Sequence, residues 1–142
     1  MPTRNGSAEW RGDLQGGEGT LKVGASSYEG PYSFKSRFEE GEGTNPEELI
    51  GASQAACYSM QLSAMLANDG HTPDSVNTTA KVHLRIVDDK PSITLIELET
   101  EGKVPGIDQA AFESAAAAAK DACLVSRALA GVDEITLSAK LL

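Results

Sequence analysis

Residues 44–70 read TNPEELIGASQAACYSMQLSAMLANDG, and this stretch decides the fold. Asn45 is placed to cap a helix, Pro46 suits the first helical position, and Glu47 and Glu48 complement the positive end of the helix dipole. Asn68, Asp69 and Gly70 tolerate left-handed backbone and stop the helix at the other end. More than twenty residues without an internal proline lie between these signals, which predicts a helix roughly 35 Å long at ~1.5 Å per residue. Leu49, Ile50, Ala56, Met60, Ala64 and Ala67 recur at helical spacing, while Ala52, Ser53, Ala55 and Ser59 keep the other faces small. With so few charges between Glu48 and Asp69, such a helix is expected to be buried on nearly all sides. Cys57 sits near its middle.

Working outward, residues 1–38 read as short strands separated by glycine: one around Ala8 and Trp10, one from Thr20 to Ala25, a break at Tyr28–Pro31, and an extended segment from Tyr32 to Phe38. Residues 39–44, EEGEGT, form a polar loop into the helix. After Gly70, Ala80, Val82, Leu84 and Ile86 alternate with Lys81, His83 and Arg85, the period of a strand with one wet face. Asp88–Pro91 makes a hairpin turn, and Ile93 to Thr100 returns as the partner strand. Asp108 then caps a second helix through Phe112 and the alanine run 115–119 to Cys123. Leu124 to Ala130 continues that helix or restarts after a kink, Gly131 ends it, and Glu134 to Leu141 is a closing strand. Strands, long helix, strands, helix, strand is an α+β order, with antiparallel sheet covering helices too apolar to face water.

The whole length of 142 residues suits one domain able to bury its own core. Twelve basic against twenty-one acidic residues give a net charge of −9. That balance argues against nucleic acid or an anionic membrane surface as partner. No apolar run approaches a membrane span and the N-terminal residues lack a signal peptide's apolar core, so a cytoplasmic protein is expected. In that compartment two cysteines are free, catalytic or redox-active rather than structural.

Most catalytic patterns are missing. His71 and His83 stand apart from each other and from the cysteines, so no metal site is expected; neither a phosphate-binding GxxxxGK[ST] loop nor a serine elbow is present. The pairs Glu39–Glu40 and Asp88–Asp89 read as solvated loop charge. The plain reading of Cys57 and Cys123 is that of small apolar fillers in buried helices. Against it, both lie on the elements with the strongest core signature, where the helices could bring them together. Arg37, flanked by Phe34 and Phe38, is a cation that can enter a core if a carboxylate accompanies it, and Glu47, a short loop away, is the candidate.

Several segments together resemble the OsmC/Ohr family of thiol-dependent peroxidases, and within it the osmotically inducible branch. They are AEWRGDL at 8–14, PYSFKSRFE at 31–39, GTNPEELIGASQAAC at 43–57, VPGID at 104–108, AKDAC at 119–123 and EITL at 134–137. The resemblance spans essentially the whole chain, as a single domain over residues 1–142. It implies an intertwined homodimer in which antiparallel sheet wraps two long central helices, with two active sites at the subunit interface. It also implies a peroxidatic Cys57, a resolving Cys123 placed 66 residues later, a catalytic arginine on the third strand at Arg37, and a supporting glutamate at Glu47. The implied activity is reduction of organic hydroperoxides, and more weakly hydrogen peroxide, without a cofactor or metal. A Cys57–Cys123 disulfide would be restored by a dithiol such as a lipoylated protein, in a cell under osmotic or oxidative stress.

The residue types suit that chemistry. Only a thiolate attacks the O–O bond, a free thiol is mostly protonated at neutral pH, and burial raises its pKa further, so a cation is needed. A guanidinium supplies one that cannot deprotonate. Ten residues of straight helix span ~15 Å, so Glu47 does not touch Cys57 itself. Arg37 must bridge the gap, or Arg37 and Glu47 come from the partner subunit. One departure from the family pattern is Leu124, where proline usually follows the resolving cysteine. Leucine there is expected to let the helix run on and hold Cys123 less mobile. Two non-enzymatic readings stand beside the peroxidase: a redox sensor, and an apolar-ligand-binding dimer.

Overall fold

A computed structural model describes residues 1–25 and 27–142. The chain forms two compact units, Met1–Leu49 and Ile50–Leu142. The first is an antiparallel meander of β1 (Gly6–Arg11), β2 (Glu18–Val23) and β3 (Tyr28–Ser33), followed by a short helix α1 (Phe34–Phe38). Trp10 and Tyr32 sit on either side of Gly19 in the strand register, and their rings meet at 5.3 Å between centroids. Glycine is required there, because a Cβ would run into the Tyr32 ring.

Two expectations shift in this unit. Tyr28–Pro31 is strand rather than a break, and the extended segment expected from Tyr32 onward ends at Ser33. Arg37 therefore lies on α1, one turn beyond the third strand, and not on the strand itself. The cause is a reciprocal capping box: Ser36 N donates to Ser33 Oγ at 3.1 Å and Ser33 N to Ser36 Oγ at 2.9 Å.

The helix predicted over 44–70 forms as α2 (Pro46–Asn68). Asn45 caps it as expected, accepting from Glu48 N at 2.9 Å. The chain then builds a second sheet from β4 (Ser75–Val87), β5 (Lys90–Lys103) and β6 (Glu134–Leu141), with α3 (Gln109–Ala122) and α4 (Leu124–Ala128) between β5 and β6. Asp88 and Asp89 both have positive φ, 49° and 60°, so they alone form a two-residue hairpin loop of the primed type. Pro91 belongs to β5. The expected all-antiparallel sheet is corrected here: β4 and β5 are antiparallel, but β6 pairs parallel to β5. The intervening helices carry the chain back along the sheet, which is how a parallel neighbour is reached.

The core of the second unit lies between this sheet and helices α2 and α3. Tyr58, Leu62 and Leu66 of α2 pack with Leu98, Val104, Phe112, Ala116, Ala119 and Cys123. A part-buried polar chain, Ser59 Oγ to Thr78 Oγ1 at 2.8 Å and Thr78 to Thr100 at 2.9 Å, ties α2 to β4 and β5. On the opposite sheet face, Lys81 pairs with Glu99 and His83 with Glu97; exposed pairs of this kind add little stability. Burial of α2 on nearly all sides is not what one chain provides. Gln54, Tyr58, Leu62 and Leu66 form the buried stripe, whereas Ala56, Met60, Ala64 and Ala67, expected as core, are exposed, Met60 by 75%.

Candidate functional site

The four residues singled out from sequence form two pairs, one in each unit. In the first unit, Arg37 lies in the last turn of α1 and Glu47 in the first turn of α2. Their side chains meet as a fork: Arg37 Nη2 donates to Glu47 Oε1 at 2.8 Å, and Nε donates to Oε1 at 3.1 Å and Oε2 at 3.2 Å. The expected ion pair is thus formed within one chain. It uses the Nε edge of the guanidinium; Nη1 takes no part in these bonds. The Phe38 ring lies 5.2 Å beneath Arg37 Cζ, a cation–π contact that further restricts the planar group.

A clamp built on Asn45 and Ser36 holds the two halves of this pair. Asn45 Nδ2 donates to Ser36 O at 2.9 Å while its Oδ1 caps α2. Ser36 Oγ donates to Thr44 O at 2.8 Å. Both Asn45 and Ser36 are buried. The residue before Arg37 is therefore bonded to the segment just before Glu47, so the fork is set by backbone as well as by charge.

In the second unit, Cys57 is half-buried on α2 and Cys123 fully buried, and both are free thiols. Cys57 packs against the buried cluster that contains Cys123. They stand 66 positions apart in the sequence, a separation closed up by the packing of α2 against α3. Helix α3 does not run on past Cys123, contrary to the expectation from Leu124. Cys123 takes φ −60° and ψ 122°, and α4 starts anew after it. The break does not need proline, because Cys123 takes extended backbone and itself serves as the residue preceding α4. Burial pushes the Cys123 thiol up, but the Ser126 amide and hydroxyl, the Cys57 thiol and the Val125 amide outweigh it, and the net shift is downward. Tyr58, adjacent to Cys57, donates to Ala116 O at 3.0 Å. Burial first, then the Cys123 charge, pushes its phenol well up.

Buried polar residues that escaped the sequence reading include Ser36, Gln54 and Ser126. Gln54, one turn before Cys57, is 0% exposed and its Nε2 donates to Ser126 Oγ at 3.1 Å. The signal was a glutamine in an otherwise small and apolar helix, and a serine three residues after Cys123.

Chemically, the second unit offers a dithiol able to become a disulfide, and the first offers an oriented guanidinium. Among the described residues no cluster of three or more His, Cys, Asp or Glu could hold a metal ion.

Known proteins resemble this chain. Residues 39–138 match the family model described as "OsmC-like protein". The chain is 48% identical over 139 residues to "Peroxiredoxin OsmC" of Escherichia coli (strain K12), covering 97% of this chain and 96% of that protein. It is 32% identical over 99 residues to the "Organic hydroperoxide resistance protein" of Xanthomonas axonopodis pv. citri, covering 69% and 68%. Among solved structures, the organic hydroperoxide resistance protein OhrB of Bacillus subtilis superposes with a TM-score of 0.72 over 97% of this chain and 98% of that one, at 19% identity. An OsmC-like protein from Mycoplasma pneumoniae gives 0.75 over 99% and 98%, at 14% identity. The fold is thus that of these structures, and the chain belongs to the OsmC-like protein family.

Proposed function

We propose that this chain is a cysteine-based peroxidase that reduces organic hydroperoxides to alcohols. The observation that carries the reading is that Cys57 packs against the buried cluster holding Cys123, 66 positions further along the sequence, in a chain nearly half identical to a protein named a peroxiredoxin. The Cys57 thiolate attacks the distal peroxide oxygen. The O–O bond breaks, the alkoxide leaves and is protonated to the alcohol, and Cys57 becomes a sulfenic acid. Cys123 then attacks the Cys57 sulfur, the S–O bond breaks, and hydroxide leaves as water after taking a proton. An external dithiol, such as a lipoyl group, reduces the disulfide and is itself oxidised.

In this reading Arg37 supplies the cation that favours the Cys57 thiolate and holds the peroxide, using the edge that Glu47 leaves open. Apolar surroundings favour alkyl chains over hydrogen peroxide as substrate. Residues 1–142 act as one domain, and the exposed stripe of Ala56, Met60, Ala64 and Ala67 is covered by a second copy in a homodimer. Met60→Glu places a charge in that stripe and is expected to yield monomers by analytical ultracentrifugation.

The test follows cumene hydroperoxide in the presence of dihydrolipoamide. Turnover that is lost in Cys57→Ser, and that stops after a few cycles with Cys57 sulfinate in Cys123→Ser, supports the two roles. Equal slow background in all three proteins refutes them. Mixing subunits carrying Arg37→Ala with subunits carrying Cys57→Ser then asks whether the arginine serves its own chain: recovered activity assigns it to the partner.

A further inference from the structure

Neither Arg37, Glu47 nor the two sulfurs accounts for a glutamine buried completely one turn before Cys57. Gln54 is 0% exposed, and its Oε1 has no hydrogen-bond partner among the described residues. An unpaired amide oxygen in a core is costly, and leucine would avoid it. What the glutamine does provide is a bond from Nε2 to Ser126 Oγ at 3.1 Å, which joins α2 to α4 inside the core. A hydroxyl can accept or donate, so the tie stands whichever way the amide is turned. Helix α4 depends on such a tie. Its five residues are too few to hold a helix by themselves, and Leu124, Arg127 and Ala128 are exposed. What faces inward is Val125, packed against the core cluster, and Ser126. Among the described residues, Gln54–Ser126 is the one side-chain hydrogen bond from α4 to another element.

The tie sits one helical turn from each cysteine. Cys57 follows Gln54 on α2 at ~4.5 Å along the axis, and Cys123 immediately precedes α4, one turn before Ser126. Cys123 is also the joint between α3 and α4. Its N–H donates to Ala119 O at 2.9 Å, and its carbonyl accepts from Arg127 N at 3.0 Å. The orientation of α4 is therefore passed directly to the backbone of Cys123. We propose that Gln54 is a positioning residue for disulfide formation: through Ser126 it holds α4, and with it Cys123, in place against Cys57. This rests on the peroxidase reading for the step it serves. In that step the S–S bond forms as the S–O bond of the Cys57 sulfenic acid breaks. The Cys57 sulfur is reduced, the Cys123 sulfur is oxidised, and the Cys123 proton leaves with the oxygen as water. Gln54 takes no part in the bonds made and broken; it acts through Ser126.

A glutamine that only fills the core and one that positions Cys123 differ in what their loss changes. Gln54→Met combined with Ser126→Ala replaces both partners by apolar groups. That removes the tie and the unpaired oxygen together, a change that is near neutral for stability. The urea midpoint of the reduced double variant is therefore expected to stay close to the native one. Cysteine pairing is read without peroxide, from the equilibrium of Cys57 and Cys123 with reduced and oxidised glutathione, which gives the effective concentration of one thiol for the other. It is expected to fall about tenfold in the double variant. Because Gln54 acts through Ser126, Gln54→Met alone and Ser126→Ala alone should each give the same fall, and combining them should add nothing. An unchanged effective concentration in the double variant overturns the proposal, and so do single losses that simply add. Should the double variant fail to fold, either single variant decides, an unchanged value again overturning the proposal. With one equivalent of cumene hydroperoxide, the double variant should consume peroxide at the native rate yet form the disulfide about tenfold more slowly. More Cys57 sulfenic acid is then captured by dimedone, read by mass spectrometry. A native protein that consumes no hydroperoxide refutes the peroxidase reading, and the glutathione equilibrium still decides the tie. A native protein that consumes it, with disulfide formed as fast in the double variant, refutes the proposal alone.

Discussion

Asn45 offers the sharpest test of how the arginine–glutamate fork is built. Its side chain makes two bonds of 2.9 Å, accepting from Glu48 N and donating to Ser36 O, and only 9% of the residue is exposed. Losing a helix N-cap costs about 1 kcal/mol. Leaving the Ser36 carbonyl without this donor costs roughly 1–3 kcal/mol, the penalty of an orphaned buried group. Asn45→Ala loses both and is expected to cost about 2–3 kcal/mol. Asn45→Ser can still cap α2 but has no N–H to offer Ser36, so it is expected to cost about 1 kcal/mol less than alanine. With a urea slope of about 2 kcal/mol/M for a protein of this size, the alanine midpoint falls by roughly 1–1.5 M and the serine midpoint by about half as much. The measurement is equilibrium unfolding in urea at one fixed protein concentration, because association shifts apparent stability. Hydroperoxide turnover in buffer without urea is measured alongside, and kcat/KM should fall in both variants, since each loosens the tie beside Arg37. Equal midpoints for alanine and serine would refute the energy assigned to the cap, and a serine midpoint equal to the native one would refute the energy assigned to the Ser36 bond. Unchanged kcat/KM in both would refute the claim that this clamp positions the guanidinium.

Two further perturbations probe the second unit. Tyr58→Phe removes the bond to Ala116 O and is expected to cost about 1 kcal/mol near neutral pH. Because burial raises the folded-state value of this phenol above its ordinary 10.0, the native state keeps the proton longer than the unfolded chain. Stability from this group is therefore complete below pH 10 and declines as pH rises beyond it; urea midpoints at pH 8 and pH 11 should fall less in Tyr58→Phe than in the native protein, and an equal fall counts against the assignment. Gly102→Ala sets a methyl group 2.5 Å from Phe112 Cζ, and Phe112 is 0% exposed. Overpacking of this kind costs about 1–3 kcal/mol, and Phe112→Leu in the same chain should recover part of that loss; strictly additive melting shifts would show that the two residues do not collide.

The sequence reading was best where local chemistry decides. The caps of α2 and α3, Asn45 and Asp108, and the alternation through β4 were readable because each depends on a few adjacent residues. It failed where the deciding partner is distant. Phe34, Ser36 and Phe38 alternate like a strand, yet the capping box and the bond from Ser36 to Thr44 O turn the segment into α1. Alternation in β6 reports one buried face, but it is the same for either strand direction, so the parallel pairing with β5 could not be read from it.

The stripe on α2 carries the same lesson to the level of the site. Apolar spacing identifies faces that avoid water without saying what covers them. Two such faces run along this helix. The stripe of Ala56, Met60, Ala64 and Ala67 is conspicuous in sequence and stays exposed, whereas the face that one chain buries contains Gln54 and Tyr58. The polar members of that buried face are the ones that reach α3 and α4, Tyr58 to Ala116 O and Gln54 to Ser126. Those two bonds bracket Cys57 in sequence and fix the helices that present Cys123. A core of leucine and alanine alone would allow α2 to slide or rotate against α3 at little cost. A hydrogen bond between buried partners has one good geometry, and losing it is expensive. The register that sets Cys57 against the cluster holding Cys123 is thus specified by the residues that look least suited to a core.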